Sequence, residues 1–157
     1  MKNMTFLLIL MLLGFNGLFA QEQELVLRDT LSAEEIKLVG VWKVDLPEQK
    51  SKLDSETKAQ VDQLDGKKQE FFWRATESRV FALDNERNFV MTWVDEGSHN
   101  EVKGKWKLDS KTGVLSLISE DEVIEYQVEF NGKGQIWIPI GGDKKGFNKL
   151  YIKGLGI

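Results

Sequence analysis

The sequence has no cysteine, one histidine and two prolines in 157 residues. Without cysteine there can be no disulfide framework, thiol nucleophile, iron–sulfur cluster or Cys-ligated zinc. A single imidazole, His99, excludes any site that needs two. Much of enzymology is thereby removed before any motif is considered, and the length suits one domain with a real core. Positive charge is also in short supply: 21 Lys and Arg stand against 25 Asp and Glu, for a net charge of −4. An acidic chain with interspersed lysines has no field to attract phosphate backbones, so nucleic acid is not an expected partner.

Long apolar runs are confined to the N-terminus. Lys2 precedes the apolar run Phe6–Leu13, which is followed by Gly14 to Ala20 with the small residues Gly14, Gly17 and Ala20. A basic start, a short apolar stretch and small residues before a polar segment read as a secretory signal peptide over residues 1–20. The run is shorter than the roughly 20 residues that a membrane helix needs. The expected product is a single domain over residues 21–157, extracytoplasmic (periplasmic or secreted), with no integral membrane span and a net charge of −5. Without disulfides, such an exported chain relies on its core and hydrogen bonds.

Two textures follow. Ser32-Ala33-Glu34-Glu35 is a capping box that starts a short helical turn. Val39–Leu46 reads as the first strand, stopped by Pro47, which cannot donate to a ladder. Residues 48–76 carry apolar positions at mixed three- and four-residue steps, which predicts a helical insert, one helix or two about Gly66. Glu70–Arg74 also suits a strand. From Arg79 onward, period-two alternation dominates: 79–83, 89–93, 102–108, 115–117, 124–130, 136–140 and 150–152. Turn signals recur every eight to twelve residues or so, which favours a sandwich or barrel. Eight strands with short connections suit an all-β, antiparallel up-and-down barrel with a helix between strands 1 and 2.

One pattern occurs twice. Gly40-Val41-Trp42-Lys43-Val44-Asp45 and Gly104-Lys105-Trp106-Lys107-Leu108-Asp109 share Gly-x-Trp-Lys-apolar-Asp. In a strand, Gly and Trp two apart lie on one face, so each Gly removes bulk beside an inward indole. The first copy resembles the Gly-x-Trp signature of lipocalins and the related fatty-acid-binding proteins of the calycin superfamily. The arrangement is most similar to small secreted bacterial lipocalin-like domains, with a helical insert after the first strand and a second Gly-x-Trp-Lys strand mid-chain. That resemblance implies an eight-stranded barrel with an internal ligand site. It does not extend to a charged-lipid site. The Arg-x-Tyr pair of fatty-acid-binding proteins has no counterpart at Leu150-Tyr151-Ile152, and Lys149 and Lys153 stand where lipocalins often place an Arg.

Alternation assigns an inward set of Trp42, Val44, Phe81, Leu83, Phe89, Met91, Trp93, Trp106, Leu108, Leu115, Leu117, Ile124, Tyr126, Val128, Ile136 and Ile138, with Trp137 outward. Trp42, Arg79, Phe81, Met91, Trp93, Trp106 and Tyr126 are the candidate ligand-binding residues. An eight-stranded barrel is either filled by its side chains or hollow enough for one small molecule, and this lining is bulky. Arg79 shares the parity of Phe81. It can bind an anionic group, or it can stack on Trp42 or another ring. Asp95–Glu101 brings carboxylates beside His99 but reads as a solvated turn rather than a metal loop. Gly141–Gly146 lacks phosphate-loop spacing and reads as a hairpin loop. No cofactor and no catalytic constellation is legible. The expected partner is a small apolar molecule in the barrel mouth, or alternatively an envelope protein docked on a packed barrel.

Overall fold

The computed structural model describes residues 30–132, 134–141 and 147–155. The expected signal peptide, at residues 1–20, lies outside them. The chain from Ser32 onward forms one compact unit. It begins with helix α1 (Ala33–Ile36), closed by the expected capping box: Ser32 Oγ accepts from the Glu35 amide, and the Glu35 carboxylate accepts from the Ser32 amide. Strand β1 (Gly40–Val44) follows and is shorter than alternation suggests. Pro47 falls in the first turn of helix α2 (Leu46–Ser51), where its missing N–H has no helical partner to lose.

The insert is three helices rather than one or two: α2, α3 (Ser55–Asp62) and α4 (Gly66–Glu77). Asp54 and Asp65 cause the restarts. Each carboxylate accepts a backbone N–H at 2.9 Å, from Thr57 and Lys68 respectively, so each begins a new helix as its N-cap. Gly66 is therefore the first residue of α4, and Glu70–Arg74 is helical, with an Arg74–Glu70 pair one turn apart. No helix among the described residues is long and apolar enough to cross a membrane.

The remaining strands are β2 (Val80–Leu83), β3 (Asn88–Asp95), β4 (Ser98–Asp109), β5 (Val114–Ile118), β6 (Val123–Asn131), β7 (Gly134–Ile140) and β8 (Leu150–Gly154). Each pairs antiparallel with its sequence neighbour, and β8 returns to β1 through Trp42 opposite Gly154 and Val44 opposite Ile152. The protein is an eight-stranded, closed, up-and-down barrel with a helical part after its first strand.

One face assignment is reversed. Trp137 is fully buried, at 0 % exposure, whereas Ile136 and Ile138 are only half-buried. In an antiparallel ladder, opposed residues share a face. Val128 is buried opposite Trp137, and Ile152 is buried opposite Gln135. Those pairings turn Gln135 and Trp137 inward and the isoleucines outward. A one-residue change of register inverts a whole strand, and composition alone favoured the wrong face.

The barrel end where β1 begins is sealed by α1 and its continuation. Leu38 is fully buried there, and its carbonyl accepts the Trp42 indole N–H at 2.7 Å. Gln135 Nε2 donates to the Lys37 carbonyl, and its Oε1 accepts the Trp137 indole N–H at 2.7 Å. The β2–β3 turn folds over Trp106, whose indole N–H donates to the Asp84 carbonyl. Arg87 in that turn has φ of 60°, a left-handed conformation that costs a non-glycine residue about 1 kcal/mol or more. Its guanidinium meets the buried Glu35 carboxylate at 3.0 Å, and its carbonyl accepts the Trp106 amide. Burial alone would push Glu35 up from its ordinary 4.5, but Arg87 and the Ser32 amide and hydroxyl hold it below that value.

A carboxyl with a depressed folded pKa stabilises above its unfolded pKa and loses that contribution as pH falls through the folded value. Glu35→Gln is therefore expected to lower stability at neutral pH by about 1–3 kcal/mol. The deficit should shrink as pH drops below 4.5. Urea melts of both proteins across that range check it; a gap that persists unchanged into strong acid would show that the ion pair is not its source.

Candidate functional site

The other end of the barrel gathers the start of β2, the β3–β4 turn, the β5–β6 connection and the start of β8. The helical insert leaves β1 and re-enters β2 at this end. Its C-terminus is tied down by Ser78, whose Oγ accepts the Val94 amide of β3 at 2.9 Å. Phe72 and Trp73 of α4 meet Phe147, just before β8, with centroids 5.2 and 6.1 Å away. The insert is thus anchored at the rim of the mouth on the β3 side, and its aromatic pair reaches the approach to β8.

The candidate residues separate into three levels. Trp42 and Trp106 lie at the sealed end, where both indole N–H groups are committed to backbone carbonyls. They are structural plugs. Phe81 sits mid-barrel, its ring 4.8 Å from that of Trp137 across the interior, and Tyr126 lies 5.3 Å from the same indole. Contact between β2 and β7, which do not pair with each other, means that side chains fill the axis at that level. Met91 stands opposite Phe81 in this layer, and Trp93 and Arg79, two residues farther toward the mouth, are both only half-buried.

Arg79 does not stack on Trp42, because that indole turns toward Leu38 at the sealed end. Its charge acts on Tyr126 instead. Burial pushes the Tyr126 phenol above its ordinary 10.0, with Arg79 pulling it down and the Glu122 carboxylate adding to the rise. At neutral pH the phenol is an uncharged hydroxyl with a cation and an anion in its field. Glu122, in the β5–β6 connection, is the member that sequence reading missed, since an acidic turn carries no sign of which way it folds. Arg79, Met91, Trp93 and Tyr126 form the coherent part of the candidate set, with Phe81 as their floor.

The acidic stretch is a hairpin. Glu96 and Gly97 take positive φ of 47° and 86°, the signature of a tight two-residue turn, and Asp95 pairs with Ser98. His99 is exposed on β4. Among the described residues, no three His, Asp or Glu side chains are grouped as a metal site requires. Of the Gly141–Gly146 loop, residues 142–146 lie outside the described residues. Compared with family models, with curated proteins and with solved structures, the chain matches none.

Proposed function

We propose that this protein is an exported lipocalin-like barrel of the calycin type that takes a small apolar molecule at its mouth. The ligand would rest on the ring layer of Phe81, Tyr126 and Trp137 rather than enter the barrel. The observation that carries this reading is that Arg79 and Trp93 are both half-buried and lie two residues toward the mouth from Phe81 and Met91, which stand opposite each other. A guanidinium with an uncharged phenol nearby suits a polar or anionic head on an otherwise apolar molecule. The repeated Gly-x-Trp strands and the barrel topology support the family resemblance. Nothing in this reading requires catalysis or a cofactor.

The test is native mass spectrometry of protein purified from its own cell envelope. The expected result is a chain beginning near Gln21 with a stoichiometric small molecule bound. Arg79→Ala should lose that molecule while changing stability by less than about 1 kcal/mol, because the residue sits at the rim. A second reading, a packed barrel that docks an envelope protein, is favoured by the complete burial of Trp137 in the axis. Consistently empty protein under the same conditions would support that second reading and remove the first.

A further inference from the structure

A second recess lies on the outer wall of the barrel, separate from the mouth. Gln49 of α2 is buried at 2 % exposure and staples the helix to β8: its Nε2 donates to the Lys149 carbonyl, and its Oε1 accepts the Tyr151 amide. This holds the α2–α3 connection a fixed distance from the strand and leaves a pocket of about 250 Å³. Tyr151 and Phe147 line it, each only 9 % exposed, together with Leu53. Tyr151 faces outward, because its neighbours Leu150 and Ile152 point into the barrel. The recess therefore shares no wall with the mouth residues Arg79, Trp93 and Tyr126.

The charges around it are unequal in availability. Lys52 is engaged by Glu48 at 2.6 Å and lies over the Tyr151 ring. Asp54 spends both oxygens on Thr57, one on its amide and one on its hydroxyl. Lys149 and Asn148, also lining the recess, are exposed, and their side chains have no partner among the described residues. Two rings, an apolar wall, one uncommitted ammonium and one uncommitted amide remain.

The geometry points to a binding site for a compact ring compound carrying a single negative charge. Its ring packs on Tyr151 and Phe147, and its carboxylate-like group meets Lys149 and Asn148. The volume, at the low end for small-molecule pockets, limits the ligand to about one ring with its substituent. A second charge would have no counterion, since Lys52 already has its own.

Benzoate is the direct probe, with benzyl alcohol and benzylamine as neutral and cationic controls, followed by amide chemical shifts of the purified protein. Benzoate is expected to move the amides of Asn148, Lys149 and Tyr151 at millimolar concentration, with the two controls binding much more weakly. Lys149→Glu, at an exposed position, should weaken benzoate roughly tenfold or more without altering the fold. The proposal is overturned if benzoate leaves these amides unmoved at about 10 mM. It also fails if the controls move them equally, if the shifts centre on Arg79 and Trp93, or if Lys149→Glu binds as the parent does.

Discussion

Gly104→Ala is expected to be the most damaging single-atom change in the barrel. A Cβ at this position would lie 2.0 Å from the Ile118 carbonyl oxygen and 3.0 Å from the Phe89 ring. The oxygen belongs to the backbone of β5, so it cannot swing aside as a flexible side chain would. Relief requires β4 and β5 to separate where they pair through Lys105 and Ile118. Overpacking a core costs about 1–3 kcal/mol when side chains can adjust, and a backbone clash belongs at or beyond the top of that range. Most domains have only about 5–15 kcal/mol of stability to lose. The companion substitution is Gly66→Ala at the start of α4, where nothing lies within 4 Å of the added methyl and φ is not positive. That change should be neutral or stabilise by up to about 1 kcal/mol. Urea denaturation of both variants makes the comparison; equal midpoints for the two would mean that β4 and β5 do not approach as described.

Trp137→Ala carries the second large effect, about 3–5 kcal/mol, because it removes a fully buried indole from the barrel axis. The loss takes away ring contacts with Phe81 and Tyr126 and leaves Gln135 Oε1 without the indole N–H. Ile138→Ala, one residue on, truncates a half-buried side chain on the outer wall and should cost about 1 kcal/mol. The pair discriminates between the two registers of β7. If Ile138→Ala proved the more destabilising, the strand would have the opposite face inward. Trp137→Ala also hollows the axis, so its mutant is the form in which an apolar molecule should enter deepest.

These residues show which features local pattern could reveal. Alternation located the strands from β2 to β8 to within a few residues, since a half-buried strand must place every second side chain in the core. The capping box at Ser32 was equally local: one hydroxyl and one carboxylate three residues apart suffice. The helical insert was visible as a texture, but its division into three was not. Asp54 and Asp65 look like ordinary surface acids until a chain direction makes them N-caps.

The Gly-x-Trp echo shows a subtler limit. β1 runs away from the sealed end and β4 runs toward it, yet both indoles donate to carbonyls at that end. The glycines consequently do different jobs. Gly40 has φ of 146° and lies beneath the Trp42 indole, whereas Gly104 admits a neighbouring strand's carbonyl. Identical spacing predicted a shared role that opposite strand directions do not allow.

The candidate site divides along the same line. Arg79, Met91 and Trp93 were placed inward by parity, and the structure sets Met91 opposite Phe81 with Trp93 and Arg79 two residues nearer the mouth. Trp42 and Trp106 have the same parity but belong to the other end, because height along the barrel depends on pairing rather than on alternation. Gln49 gave no sequence signal at all. Its two hydrogen bonds reach residues about a hundred positions away, and only the folded barrel brings them within range.

Sequence by itself determined that the chain lacks thiol and multi-histidine chemistry, that it alternates as an antiparallel β protein, and that helices interrupt it after the first strand. Those properties reside in residue type and in periods of two to four, which no distant contact needs to supply. Tertiary structure decided which face of β7 enters the core, which end of the barrel is sealed, and that rings fill its middle. Each of those outcomes depends on register and closure between strands far apart in the chain, where a shift of one residue exchanges an indole for an isoleucine.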